Sequence, residues 1–195
     1  MKIQKLGVGI LASGILLGAS FFGAKPATAS TMDQKFAVKA AQGGIAEVMC
    51  SQLAEGKSHN IRVLAVAHRM VKEHTAANKE LKTVAGRKGM ALPKMTDSMH
   101  IAAYRKLSRL SGSAFDKAYM AGQEKDHAAT IKLFETEIAM GQDKDLSAFA
   151  SENLPAIEDH TRMIFQVGSS LGVHATMMPK LKPALMPSSM NGHNM

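Results

Sequence analysis

Apolar side chains recur along this chain at spacings of three and four residues, and no convincing run alternates with period two. Ala, Lys, Glu, Met and Leu, good helix formers, dominate the same stretches. The pattern predicts six helices. Asp33 caps a first one running to about Ala54 and ending near Gly56. Ser58 caps a second, long one to about Ala85, closed by Gly86 and Gly89. After a break at Leu92-Pro93, Asp97 opens a shorter helix through Leu110, which Gly112 ends. Ser113 or Asp116 opens another long helix to about Met140, with Gly141 as its stop. Asp143 begins a short helix to Asn153, and Pro155 fits the first turn of a last helix through Leu171, ended by Gly172. Four longer and two shorter helices joined by short connections predict an all-α fold, an up-and-down four-helix bundle with mostly antiparallel neighbours.

The helical phase singles out a few polar residues. Phe36, Ala40, Gly43 and Cys50 mark the apolar stripe of the first helix, and Glu47 lies among them. Ala67, Met70, Val71, Leu81 and Ala85 mark the second, with His74 inside it. Ile131, Phe134 and Ile138 continue a stripe that His127 begins, and Ile157, Ile164, Val167 and Leu171 enclose His160. Each long helix therefore turns one ionisable side chain inward. Buried polar groups need partners, water or a metal. One carboxylate and three imidazoles form an acceptable ligand set for Zn, Fe, Mn or Cu(II), and bundle cores commonly build such sites from facing helices. Gln123 and Glu124 share roughly the face of His127, and Glu124-x-x-His127 has the spacing of a di-iron carboxylate–imidazole pair. Each histidine also follows an acid, in Glu73-His74, Asp126-His127 and Asp159-His160. Adjacent helical residues do not face each other, so these acids are expected to be solvated or to orient a histidine on a neighbouring helix.

Charge and composition add a compartment. The net charge is +8, and the first 29 residues hold Lys2, Lys5 and Lys25 with no acid. An uncharged stretch from Leu6 to Gly23 and a small-x-small site at Ala27-Thr28-Ala29 predict an export signal over residues 1–29, with Ser30 as the new terminus and a periplasmic or secreted destination. The bundle domain then spans 30–175. Residues 176–195 read as a flexible tail with Pro179, Pro183, Pro187, five methionines and His193, donors that suit Cu(I). The lone Cys50 excludes an internal disulfide and any cysteine-built metal cage, and is expected to be a buried, inert thiol. Without Trp and with only two Tyr the chain lacks a base-stacking platform, and export argues against a nucleic-acid partner. Phosphate-binding glycine loops, a G-x-S-x-G elbow, H-E-x-x-H and C-x-x-C-H are absent. The basic cluster Lys79, Lys82, Arg87 and Lys88 suits either an anionic envelope component or a solvated face.

Phe36-x-x-x-Ala40-Ala41-x-Gly43-Gly44-x-x-Glu47-Val48, Met70-Val71-x-x-His74-x-x-Ala77-Asn78-x-x-Leu81 and Leu92-Pro93 resemble the exported bacterial family known as domain of unknown function 4142. So do Leu110-x-Gly112-x-x-Phe115-Asp116-x-x-Tyr119, His127, Phe134-Glu135 and Leu154-Pro155-x-x-x-x-His160. The resemblance implies a ferritin-like helical bundle and no established activity. It departs from a di-iron centre, because Val71 and Ile157 stand three residues before His74 and His160.

The expected function is transition-metal binding in the bundle core through Glu47, His74, His127 and His160, with Glu124 nearby. The alternative is a non-catalytic structural or interaction module with a buried His/Glu hydrogen-bond network, extended by Tyr119 and Asp116. An enzyme performing oxygen chemistry ranks last, since it needs more carboxylates than the helical phase supplies.

Overall fold

The computed structural model describes residues 31–173 and Leu181, so the expected leader and all of the expected tail but Leu181 lie outside the described residues. Among the described residues five helices follow one another: α1 (Thr31–Lys57), α2 (Ile61–Arg87), α3 (Ser98–Ser108), α4 (Gly112–Met140) and α5 (Lys144–Ser170). No described helix is long and apolar enough to cross a membrane.

The six expected helices become five because the last two are one. Pro155 lies inside α5 rather than in a first turn. A proline there forfeits one backbone hydrogen bond. Pro155 and Ser151, whose carbonyl loses its partner, both face solvent, where water satisfies the group. Leu146, Phe149, Leu154 and Ile157 keep one buried stripe running through the proline. Three predicted caps also move: α4 starts at Gly112 behind Ser111, with Ser113 and Asp116 inside the helix, and the other two are Ser58 and Asp33. Asn60, not Ser58, accepts from Arg62 N at the start of α2, while Ser58 Oγ accepts from Asn60 N. Asp33 lies within the first turn of α1 and accepts instead from Gln142 N and Asp143 N, which ties the start of α1 to the α4–α5 turn. Asp97 and Asp143 cap α3 and α5 as expected. Gly89 and Gly172, at φ 65° and 73°, close α2 and α5 in the left-handed conformation that side chains resist.

Two apolar clusters fill the interior. One gathers Phe36, Leu81, Phe134 and Phe149, with Leu181 partly buried against it; the other gathers Val63, Met70, Phe115 and Ile164. α1 and α5 pass from the first cluster to the second, and α2 and α4 pass from the second to the first. The bundle therefore runs up, down, down, up. α1 packs on α2 and α4, and α5 packs on α4 and α2. The segment 88–111, containing α3, crosses the bundle's length between the parallel α2 and α4. One long crossover in a four-helix bundle is the ferritin-like arrangement. Thr96 Oγ1 donates to Gln42 O at 2.8 Å and pins this crossover to α1.

Ile138, expected on the stripe of α4, is 39 % exposed, and its neighbour Glu137 is buried in its place. Cys50 is half-buried, and burial, with Glu47 and Asp126 adding to it, pushes its thiol up to about 12.

Candidate metal centre

Between the two apolar clusters lies a polar layer. Each of the four long helices contributes one residue to it near its middle: Glu47 from α1, His74 from α2, His127 from α4 and His160 from α5. All four are buried, with 5, 9, 1 and 2 % exposure.

The three imidazoles form a nearly equilateral triangle. Ring centroids are 5.6 Å apart for His74 and His127, 5.4 Å for His74 and His160, and 5.6 Å for His127 and His160. One nitrogen from each ring lies within 4.8 Å of the other two. Nitrogens bound to one tetrahedral ion at about 2.0–2.1 Å stand roughly 3.3 Å apart, so an ion would draw the rings inward by on the order of 1 Å.

Hydrogen bonds fix the faces of two rings. His127 Nδ1 lies 3.1 Å from Gln123 O, and a carbonyl only accepts, so Nδ1 carries the proton and Nε2 holds the lone pair. His160 Nε2 lies 2.6 Å from Glu73 Oε2, so Nε2 donates and Nδ1 holds the lone pair. His74 Nε2, His127 Nε2 and His160 Nδ1 are buried and have no hydrogen-bond partner among the described residues. Three rings thus meet with one unpartnered nitrogen each and no hydrogen bond between them.

Electrostatics keeps these rings neutral. Burial pushes His74, His127 and His160 down to about 4 from the ordinary 6.5, and for His74 and His160 the neighbouring imidazoles add to the effect. A neutral imidazole is the form that ligates a metal.

Two carboxylates hold the site from outside the triangle. Glu47 Oε2 accepts from Gln123 Nε2 at 2.6 Å, and its Oε1 lies 3.5 Å from His127 Nδ1, the nitrogen opposite the unpartnered one. Burial raises Glu47 above the usual carboxylate range, against the opposing pull of His74 and Gln123. Glu73, the acid next to His74 in sequence, reaches across to α5 and orients His160. Arg69 Nε donates to Glu73 Oε1 at 3.0 Å, and its second arm donates to Asp159 Oδ2 at 2.7 Å. Burial alone would raise Glu73; the His160 and Arg69 hydrogen bonds outweigh it and hold the carboxyl below its ordinary value. Of the three acids that precede histidines, Glu73 therefore takes the orienting role and Asp159 pairs with a surface arginine.

Glu124 is placed elsewhere. Its Oε1 packs against Gly168, where an added Cβ would come within 2.6 Å of it. Gly168 lies eight residues beyond His160 on α5, about 12 Å along the axis. A shift of three residues on α4 carries a side chain toward the second apolar cluster and away from the triangle. Tyr119 and Asp116 also stand apart from the histidines' hydrogen bonds: Tyr119 OH pairs with Ser51 Oγ at 2.9 Å, and Asp116 Oδ1 has no hydrogen-bond partner among the described residues. Of the basic cluster, Lys88 is bound to Asp143 and Asp145, each at 2.8 Å.

A cavity of about 70 Å³ adjoins the triangle, lined by His74, His160, Glu47, Glu73 and apolar side chains that include Leu81 and Phe134. Gly44 permits the close approach of α2 beside it, since a Cβ there would fall 1.9 Å from Asn78 Oδ1.

The family model for the domain of unknown function DUF4142 matches residues 21–167. The chain belongs to the DUF4142 family. The DUF4142 region contains the whole polar layer, including Glu73 and Gln123. The fold is similar to the crystal structure of a DUF305 fragment from Deinococcus radiodurans, with a TM-score of 0.64 at 12 % identity, over 74 % of this chain and 97 % of that one. At that identity the likeness concerns the fold alone. No curated protein matches the sequence.

Proposed function

We propose that this DUF4142 protein is exported and binds one transition-metal ion in its bundle core through His74, His127 and His160. The observation that carries the reading is the convergence of three neutral imidazoles, each with a buried nitrogen that no hydrogen bond satisfies. Leaving such groups unmet costs roughly 1–3 kcal/mol each, and a cation is the partner that the lone pairs of His127 Nε2 and His160 Nδ1 would share with His74 Nε2 in its Nδ1-protonated tautomer. The alternative, a buried His/Glu hydrogen-bond network, has members in His160–Glu73 and Gln123–Glu47, but it leaves a buried nitrogen of each ring unmet and does not take in Tyr119, which pairs with Ser51.

All-imidazole ligation favours Zn²⁺ or Cu²⁺ over Mn²⁺ or Fe²⁺, which prefer more carboxylate. Glu73 would fix the orientation of His160 and raise its basicity, and Glu47 would offset the ion's charge from behind His127. Export is supported by the charged start, the uncharged stretch and the Ala27-Thr28-Ala29 site.

The test is metal analysis of tag-free protein, with melting curves in added Zn²⁺, Cu²⁺, Co²⁺, Mn²⁺ and Fe²⁺. About one Zn²⁺ or Cu²⁺ per chain is expected, with a higher Tm that is lost in His127→Ala. Unchanged melting of the wild-type protein in all five ions overturns the reading.

A further inference from the structure

A groove of about 290 Å³ lies between α1, α3 and α4, on the face that the crossover covers. It shares Lys39, Gly43, Glu47, Thr130 and Leu133 with the cavity beside the three histidines. Glu47 thus borders both spaces, one reaching the triangle and the other reaching the surface.

The remaining groove residues are of a distinct kind. Asp97, Met99, His100 and Asp126 line it, together with Lys125 and Ala129. His100 Nδ1 lies 2.9 Å from Asp97 Oδ1, so that nitrogen donates and Nε2 keeps its lone pair. Asp97, His100 and Asp126 are half-buried, whereas Lys39 and Lys125 are exposed on the rim. Inside the rim, then, stand two carboxylates and an imidazole, followed by the buried Glu47, while Met99, 62 % exposed, lies at the rim with the lysines. These are metal-ligating groups arranged in depth order. Gly43 keeps the junction clear: a Cβ at this position would meet nothing within 4 Å.

We infer that a divalent cation reaches the three-histidine centre through this groove, attracted by Asp97 and Asp126 and handed by Glu47 past Gly43 into the inner cavity. The inference rests on the metal-binding reading above and assigns it a route. Carboxylates in a cleft raise the local concentration of cations and the association rate, and salt screens the effect. The route predicts that groove residues control how fast the ion binds and leave its equilibrium affinity alone.

Stopped-flow loading with Co²⁺ tests this, since its visible bands report imidazole ligation and His127→Ala supplies the blank for ions held elsewhere. Asp97→Asn with Asp126→Asn keeps the α3 cap, because Asn also caps helices. This double variant should load at least fivefold more slowly at low salt, with the difference shrinking in about 0.5 M salt. Gly43→Leu should load at least tenfold more slowly. Both should reach the wild-type Co²⁺ content and show wild-type helicity. Loading of either folded variant within twofold of the wild-type rate overturns the route. A wild-type protein that takes up no Co²⁺ above the His127→Ala blank overturns the route, and the centre falls with it if Zn²⁺ and Cu²⁺ also leave the wild-type melting curve unchanged.

Discussion

Glu73 Oε2 accepts a 2.6 Å hydrogen bond from His160 Nε2, although Glu73 is the sequence neighbour of His74 and lies 87 positions from His160. One turn of α2 thus serves two corners of the triangle: His74 points into it, and the preceding acid braces the ring opposite. Arg69 holds that acid in turn. Carboxylates behind a metal-bound histidine typically contribute 10–100-fold in affinity. Glu73→Gln should therefore weaken Zn²⁺ binding about tenfold in calorimetry while stoichiometry stays at one. Unchanged affinity would show that the brace is structural only.

The metal-free triangle holds unsatisfied nitrogens, and this sets the sign of a core substitution. Leu at position 74 fills comparable space beside Leu81 and Phe134, which line the same cavity. Replacing an unpartnered buried polar group by an apolar one is neutral or stabilising. Metal-free His74→Leu should melt at or above the wild-type temperature at pH 6, by up to about 4 °C, and should lose the Zn²⁺-induced rise. A marked drop in metal-free Tm would instead mark His74 as a member of a needed hydrogen-bond network.

Helical phase alone located the polar layer, because 3.6-residue periodicity places Glu47, His74, His127 and His160 inward whatever the neighbouring helices do. It could not say which rings meet, since that depends on register between helices. It set Glu124 too close to His127, for a shift of three residues moves a side chain about 60° around and one turn along the axis. Asp33 read as a cap because its type suits one; its actual partners, the amides of Gln142 and Asp143, lie more than 100 residues away and carry no local signal. Pro155 read as a boundary for the same reason. Only the buried stripe on both sides, from Leu146 to Ile164, reveals a helix that continues past it. Glu73 was legible as an orienting acid only as one of two options, as its reach to α5 is a property of the assembled bundle.

Glu137 gives the fold an alkaline weakness. It is 1 % exposed, and burial, with the charge of Asp33 adding to it, pushes its carboxyl up to about 7 from 4.5. A raised value means that the folded chain prefers the protonated acid. Its contribution is fully present below about pH 4.5 and is lost as pH rises through about 7. Glu137→Gln keeps the shape and removes the charge. At pH 8.5 it should raise Tm by about 2–6 °C, and near pH 5 the gain should vanish. An equal effect at both pH values would tie Glu137 to packing rather than to ionisation.

The histidines act in the opposite direction. With folded values near 4 against 6.5 in the unfolded chain, the unfolded state binds protons first as pH falls. Their contribution is complete above about pH 6.5 and drains away toward pH 4. For a single imidazole the loss between pH 7 and pH 5 is about 2 kcal/mol, and three rings sharing one space titrate as a unit rather than separately. Glu137 gains stability over the same interval and masks part of this loss, so the clean test is metal-free Glu137→Gln, which should melt at least about 4–8 °C lower at pH 5 than at pH 7 by scanning calorimetry. The rise in Tm that Zn²⁺ produces should shrink over the same interval, because protons and the ion compete for the same nitrogens. His74→Leu should flatten part of the acid slope and leave the alkaline limb, set by Glu137, where it was. A metal-free Tm of Glu137→Gln that is level from pH 7 to pH 5 would mean that the three rings are not held neutral in the core, and the ligand set would lose its electrostatic basis.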